Sequence, residues 1–236
     1  MEYKLEWLSE EEGRIIFLEE EKPFLTAEFF LTGEEEAEFK IHDMALKEKT
    51  IKGNILSEKV VLKTAECLLK CFQLLWEEGL EEVVLAEQKG TQIEEILNST
   101  SVLQKIYSEY MMKRHIELQK TAEDSFASLE LTKTEDGYVC ENKERTFFCR
   151  LLSYEAEAAG EQSFYLYEVE VKKKNRNKGV ATKCMTGLFS LLSQEVPLTI
   201  YLQVGSYNEP AVHLYKKLGF NVSEELVYYD LAEEEG

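Results

Sequence analysis

The chain writes one order of elements twice: four extended stretches, a helix, a strand, a helix and a strand. In the first pass Glu2–Leu8, Arg14–Glu19, Leu25–Thr32 and Ala37–Ala45 are rich in β-formers, and turn material such as Glu12-Gly13 and Thr32-Gly33 separates them. A long amphipathic stretch follows over Glu58–Glu78. Its apolar residues Val61, Ala65, Leu68, Leu69, Phe72, Leu75 and Trp76 recur at helical spacing, and Gly79 stops it. Val83–Ala86, a helical stretch from Thr91 and a strand over Glu109–Glu117 close the half. The second pass has strands at Ser128–Lys133, Tyr138–Asn142, Thr146–Tyr154 and Ser163–Val171. Next comes a helix with Ala181, Cys184, Met185, Leu188, Leu191 and Leu192 on one face. Leu198–Val204 alternates as a strand, Ala211, Leu214, Tyr215 and Leu218 form a second helical stripe, and Glu225–Leu231 is the last strand. The period of about 118 residues is that of a duplicated domain rather than a short solenoid repeat. The division predicted is an α+β pair of tandem domains, 1–120 and 121–236, joined by a polar linker near Lys120–Ser125.

Charge and cysteine usage narrow the function. With 46 acids and 27 bases the net charge is −19, which leaves no basic footprint for nucleic acid and favours cationic ligands. No run approaches the ~18 apolar residues of a membrane span, and the acidic N-terminus does not read as a signal peptide. Cys67, Cys71, Cys140, Cys149 and Cys184 form an odd, scattered set, as expected of reduced thiols in a cytoplasmic protein. His42, His115 and His213 are far apart, so no metal site is expected. A monomer or homodimer is expected.

Two segments carry chemistry. A strand ending Tyr165-Leu-Tyr-Glu-Val-Glu-Val171 runs into Lys172-Lys-Lys-Asn-Arg-Asn-Lys-Gly-Val-Ala-Thr182. Five of the seven residues from Lys172 to Lys178 are basic, in an otherwise acidic chain. Gly179 stands where a helix begins. A glycine lets the main chain approach a ligand closely, and the first N–H groups of a helix lack internal partners, so the loop is a candidate phosphate or pyrophosphate site. Neither Gly-x4-Gly-Lys-Ser/Thr nor the dinucleotide fingerprint is present. The second segment is Gln203–Phe220. Asn208 suits an N-cap, Pro210 suits the first helical turn, and Tyr215 shares the apolar stripe, where a phenol seeks a partner for its hydroxyl.

Together these segments resemble the GNAT superfamily of acyl-CoA N-acyltransferases. The family's pyrophosphate loop, Arg/Gln-x-x-Gly-x-Gly/Ala, starts five residues after a strand valine. Here Val171 precedes Arg176-Asn-Lys-Gly179-Val-Ala181 at that spacing. The later signature reads Asn208, Ala211, Leu214-Tyr215 and Gly219-Phe220. The resemblance covers residues 163–231 and implies, in each half, a mixed, mainly antiparallel twisted sheet flanked by helices. It implies an acetyl-CoA-dependent N-acetyltransferase, with acetyl-CoA as co-substrate and a primary amine of a small molecule or peptide as acceptor. Main-chain groups of Asn177, Lys178, Gly179, Val180, Ala181 and Thr182, with Arg176 beside them, would cradle the pyrophosphate. Val169, Glu170 and Val171 would run along the pantetheine arm, with an N–H near Val169 polarising the thioester carbonyl. Asn208 would bind the arm or order water, and Tyr215 would protonate the leaving thiolate.

The sequence also departs from the family. Tyr165 stands where members often carry a glutamate, which leaves Glu168, Glu170 or a water relay as the base that deprotonates the acceptor; a β-bulge would be needed to bring either carboxylate in. The first half's matching stretch, Ser57–Leu62, has no glycine and carries an acid, so that half reads as a degenerate copy. The pair of helices that family members insert after the first strand is missing from both halves, and residues 1–120 are expected to supply the missing wall of the acceptor site. The alternative reading is a non-catalytic coenzyme A-binding or regulatory module. Transfer to a hydroxyl, or of a longer acyl group, also stays open.

Overall fold

The computed structural model describes residues 2–44, 51–52, 55–56, 58–118, 129–156 and 159–232. The chain forms two compact units. Unit 1 holds Met1–Ser108 and Leu226–Gly236, and unit 2 holds Glu109–Glu225.

In unit 1, β1 (Glu2–Trp7), β2 (Glu12–Glu19), β3 (Lys22–Leu31) and β4 (Glu36–Met44) form an antiparallel meander. The two-residue strands β5 (Ile51–Lys52) and β6 (Ile55–Leu56) pair with each other ahead of α1 (Glu58–Glu77). That helix crosses over to β7 (Glu82–Gln88), which runs parallel to β4 from Glu36↔Glu82 to Phe39↔Leu85. The short α2 (Gln92–Asn98) follows, its first turn capped by Thr91, whose Oγ1 accepts the Glu94 N–H at 3.0 Å. Period-two alternation puts Ile15, Phe17, Ala27, Phe29 and Phe39 on one face of the sheet. The helical stripe Cys67, Leu68, Cys71, Phe72 and Leu75 of α1 covers them, and Phe39 meets Phe72 edge-on at 5.1 Å.

Unit 2 repeats the plan. β9 (Leu129–Lys133), β10 (Gly137–Asn142), β11 (Phe147–Tyr154) and β12 (Gln162–Val171) are antiparallel neighbours. A 3-10 turn at Lys173–Asn175 leads to α3 (Val180–Leu192), which returns the chain to β13 (Leu198–Gly205), parallel to β12; α4 (Glu209–Lys217) comes next. Cys184, Met185, Leu188 and Phe189 of α3, Val212 and Tyr215 of α4 and its C-cap Leu218 share one core with Phe147, Cys149, Phe164 and Leu166. The expected mixed, mainly antiparallel sheet flanked by helices is therefore present in each unit. Between β9 and β10 there is only a tight turn, closed by the Thr134 N–H on the Gly137 carbonyl at 2.9 Å.

The units part the chain elsewhere than at 120/121, and the expected linker near Lys120–Ser125 lies outside the described residues. Two long strands make the difference. Residues 109–116 of β8 (Leu103–Ile116), expected to close the first half, belong to unit 2 and pair antiparallel with the whole of β13, from Leu198↔Ile116 to Gly205↔Glu109. Residues 226–231 of β14 (Asn221–Leu231), expected to close the second half, belong to unit 1, and Leu226 to Tyr229 pair antiparallel with β7. Each half of the chain thus lends its last strand to the other unit. The pattern of a strand reveals that it is a strand, not which sheet it joins. Among the described residues, no helix is long and apolar enough to cross a membrane.

Candidate functional site

The site of unit 2 is built where β12 and β13 part. Their parallel ladder runs from Gln162↔Leu198 to Tyr165↔Tyr201 and ends there, although β12 continues to Val171 and β13 to Gly205. β13 stays paired with β8 throughout, so β12 is the strand that diverges, and a V-shaped gap opens beyond Tyr165. The register of β12 against β11 also shifts between Arg150↔Tyr167 and Phe148↔Glu170. Glu168 sits in this bulge with φ 49°. Core-facing residues step from Phe164 and Leu166 to Val169 and Val171, three residues across the bulge instead of two. A bulge leaves a main-chain position outside the ladder, and this one lies at Glu168–Val169, beside the gap.

The bulge also decides where the strand's carboxylates point. Glu170 and Glu168 lie on the exposed side, with Tyr165 and Tyr167. Glu168 is bound to Arg150, whose Nε donates to its Oε2 at 2.7 Å, and this contact holds the Arg150 guanidinium firmly charged. Both side chains are solvent-exposed.

At the end of β12 the chain closes into the basic loop. The Lys172 N–H donates to Thr146, the 3-10 turn follows, and Arg176 Nε donates to the Val171 carbonyl at 3.0 Å. Arg176 thereby braces the loop against the strand that feeds it. Asn177 (φ 58°) and Gly179 (φ 75°) both adopt left-handed backbone, and Gly179 is the N-cap of α3. No side chain caps this helix and its first turn holds no acid, so the N–H groups of Val180, Ala181 and Thr182 keep their donor capacity. A Cβ on Gly179 would meet nothing within 4 Å. The space above the helix start is open, while Lys172, Lys173, Lys174, Arg176 and Lys178 are all exposed around it. Asn175 Oδ1 is buried without a hydrogen-bond partner. An anionic diphosphate fits this donor set.

On the other side of the gap, Asn208 caps α4. Its own N–H donates to the Gly205 carbonyl at 2.9 Å, and its Oδ1 accepts the Ala211 N–H at a long 3.4 Å. Tyr215 is buried in α4 with its ring edge-on to Phe220. Burial, then Cys149 and Tyr165, push its phenol up to about 12, so it carries its proton at neutral pH. The five cysteines are buried free thiols, and Cys140 stands opposite Cys149 across the β10–β11 ladder.

The structure thus brings Val169, Gly179, Asn208 and Tyr215 to the region of one gap, and directs Glu168 to Arg150. Sequence reasoning missed a second cluster at the same gap. Glu109 of β8 stands opposite Gly205, and Gln203 of β13 donates its side-chain amide to the Glu109 carboxylate. Burial holds the Tyr165 phenol above its ordinary pKa; Glu109 adds to the effect and a main-chain N–H of Gln203 opposes it. No sequence signal pointed to Glu109, because its strand was expected to belong to the other half.

In unit 1 the corresponding ladder of β4 and β7 ends at Phe39↔Leu85, and β4 carries its own register shift against β3, between Ala27↔Ile41 and Thr26↔Asp43. Core residues step from Phe39 and Ile41 to Met44, the same three-residue stride. The connection to the following helix, however, runs over residues 45–57, against 172–179 in unit 2. The helix start bears exposed Glu58 and no glycine, and α2 contains no tyrosine.

Comparison with known proteins agrees with this geometry. The family model described as "Acetyltransferase (GNAT) family" matches residues 100–220. No curated protein matches the chain in sequence. Among solved structures, a GCN5-related N-acetyltransferase from Sphaerobacter thermophilus superposes with a TM-score of 0.61 at 10% identity, covering 95% of this chain and 81% of that one. A GCN5-related N-acetyltransferase from Kribbella flavida gives 0.55 at 9% identity, with 89% and 87% covered. A tandem GNAT protein from the clavulanic acid biosynthesis pathway gives 0.52 at 7% identity, with 95% and 84% covered. At these identities the likeness is one of fold, and it extends over both units. The family match over residues 100–220, taken with the parted parallel strands, the bulge and the basic loop at the head of α3, places the conclusion on firm ground: the chain belongs to the GNAT family of acetyltransferases.

Proposed function

We propose that unit 2 binds acetyl-CoA and transfers its acetyl group to a primary amine of a small molecule or peptide, and that unit 1 is a degenerate copy without a coenzyme site. The observation that carries this reading is the V-shaped gap between β12 and β13, with a bulge on one wall and the uncapped start of α3 at its end. When bound, acetyl-CoA supplies an activated thioester. The N–H groups of Asn177–Thr182 would hold the pyrophosphate, with Arg176 bracing the loop and Lys178 adding charge. Val169, Glu170 and Val171 lie on the diverging stretch of β12, suited to pair with the amides of the pantetheine arm. A main-chain N–H at the bulge near Val169 would polarise the acyl carbonyl. Asn208, already a helix cap, would touch the arm from β13's side, and the protonated Tyr215 would give its proton to the leaving thiolate. Glu168, bound to Arg150, serves the shape of the bulge rather than as a base.

Titration calorimetry with acetyl-CoA, followed by thiol-release assays against a panel of primary amines, tests this. Gly179→Glu places a carboxylate among the pyrophosphate donors and forfeits charge-assisted hydrogen bonds worth about 3 kcal/mol, roughly a hundredfold in Kd. Equal affinity in wild type and variant would overturn the loop assignment. Tight binding without release of thiol for any amine would support the competing reading of a coenzyme-binding module, which Tyr165 in the place of the family's usual glutamate favours.

A further inference from the structure

The proposed reaction needs a group that takes a proton from the acceptor, since an alkylamine with pKa near ~10 is mostly an ammonium at neutral pH. The two carboxylates on β12 both lie on its exposed side. Glu168 is held by Arg150, and Glu170 lies past the bulge on the exposed side, in register with Phe148. The other wall of the gap, β13, is backed along its whole length by β8. β8 follows β13 to its end, and its first residue in unit 2, Glu109, stands opposite Gly205, level with the point where the chain leaves β13 for α4. In the β8–β13 ladder Glu109 falls on the same face as Met111, Lys113 and His115, opposite in phase to the buried Met112 and Ile116 that face the core. Tyr165, Tyr201 and Gln203 lie on that outer face too.

Resting on the acetyltransferase reading of unit 2, we propose that Glu109, oriented by the side-chain amide of Gln203 and on the same face of the sheet as Tyr165, binds the acceptor's ammonium group and acts as the base of the reaction. Three features support the assignment. Glu109 is half-buried and its carboxylate is fixed by an amide donor, so it is positioned rather than waving in solvent. Tyr165 lies in the field of Glu109, and Tyr215 lies in the field of Tyr165. Tyr215 comes from the core face and Glu109 from the outer face, so base and acid flank the gap from opposite sides of the sheet.

The step balances within the two substrates and these residues. The ammonium gives one proton to the Glu109 carboxylate. The amine nitrogen then bonds to the acyl carbon as the carbon–sulfur bond breaks, and its second proton leaves with solvent. The departing sulfur takes the Tyr215 proton, and Glu109 and Tyr215 return to their starting states by exchange with water.

Glu109→Gln tests this. Gln keeps the size and can still hydrogen-bond Gln203, but it takes up no proton. Wild type and variant are compared for acetyl-CoA affinity by calorimetry and for kcat/KM with spermidine, a lysine-containing peptide and a peptide with N-terminal glycine. Both are also assayed with hydroxylamine, whose nitrogen is already neutral at pH 7.5. The expected result is unchanged acetyl-CoA affinity, a loss of roughly 10²-fold or more with the alkylamines, and a loss of no more than about threefold with hydroxylamine. Full alkylamine turnover in the variant, or equal losses with alkylamine and hydroxylamine, would overturn Glu109 as the base and leave the acetyltransferase reading standing. A wild type that binds acetyl-CoA but turns over no acceptor would overturn that reading, and the role of Glu109 with it.

Discussion

The two units differ in what they keep. Both keep the devices that let a sheet open: a parallel ladder that stops early, a bulge on the diverging strand, and a three-residue stride in the core face. Those features are fixed by packing, because Phe39, Ile41 and Met44 in one unit and Phe164, Leu166 and Val169 in the other each face the core of their own unit. Unit 2 has a connection with left-handed Asn177 and Gly179 and five basic residues, whereas most of the matching connection in unit 1 lies outside the described residues. The groove at the start of α1 is lined instead by Glu19, Glu58 and Glu66 along with Lys59 and Lys63, and Lys63 is already bound to Glu19 at 2.7 Å. Carboxylates there would repel a diphosphate. A scaffold can thus outlive its site: the sheet is held by its core, and the chemistry by a few residues at the head of one helix.

The sharpest way to break the comparison is to cut the chain at the division expected from its repeat. A fragment of residues 121–236 has lost residues 109–116, the strand that covers β13 from Leu198 to Gly205. It would expose the edge of a strand that includes buried Leu198, Ile200 and Leu202. It should show no cooperative unfolding transition in urea and should aggregate. A monomeric fragment with a cooperative transition and native acetyl-CoA affinity would show that the exchanged strand is dispensable and that the units are as independent as the repeat suggests.

Much of this was legible in the sequence. Hydrophobic periodicity placed α1, α3 and α4 within a few residues, since a helix must bury one stripe whatever lies beneath it. The basic run and Gly179 marked the loop because a left-handed N-cap selects for glycine, and Asn208 and Pro210 marked the start of α4 by the chemistry of caps. The bulge was not legible: Glu168 adopts φ 49° without being glycine, and Tyr-Glu-Val-Glu alternates as any exposed strand would. Nor was the strand exchange, since β8 and β14 have the composition of closing strands in either unit. Glu109 was missed for that reason alone. Its role depends on a neighbour, Gln203, that is 94 positions away in sequence.

A smaller effect separates the two buried phenols. Tyr215 and Tyr229 are each pushed up to about 12, mainly by burial. A phenol whose pKa is raised on folding contributes stability that is complete below its unfolded value near 10 and is lost as pH climbs through the folded value. For Tyr215 the shift amounts to on the order of 2–3 kcal/mol. Urea unfolding between pH 8 and pH 11.5 should therefore show wild type losing stability that Tyr215→Phe does not lose. Tyr229 is as deeply buried, and its hydroxyl donates to Asn98 at 2.9 Å, so Tyr229→Phe should flatten the alkaline limb as well. The variants should divide in activity: Tyr215→Phe should lower kcat roughly tenfold to a hundredfold with acetyl-CoA affinity intact, on the usual scale for a general acid, and Tyr229→Phe should leave kcat alone. Equal kcat in Tyr215→Phe and wild type would reduce Tyr215 to a packing residue and erase the functional contrast between the two phenols.

The finest contrast lies in the caps. Thr91 Oγ1 accepts the Glu94 N–H at 3.0 Å, whereas Asn208 Oδ1 reaches the Ala211 N–H only at 3.4 Å. A short, well-made cap is worth about 1 kcal/mol, so Thr91→Ala should cost about that in urea unfolding with no change in acetyl-CoA affinity. Asn208→Asp keeps a residue equally suited to cap, and stability should hold within about 0.5 kcal/mol. Its added charge would sit where the pantetheine arm passes, and its lost amide N–H could no longer donate to that arm. Affinity for acetyl-CoA should fall severalfold, about 1 kcal/mol. If Asn208→Asp binds acetyl-CoA as tightly as wild type, Asn208 is a cap and nothing more, and the two helices differ in length and sequence but not in duty at their first turn.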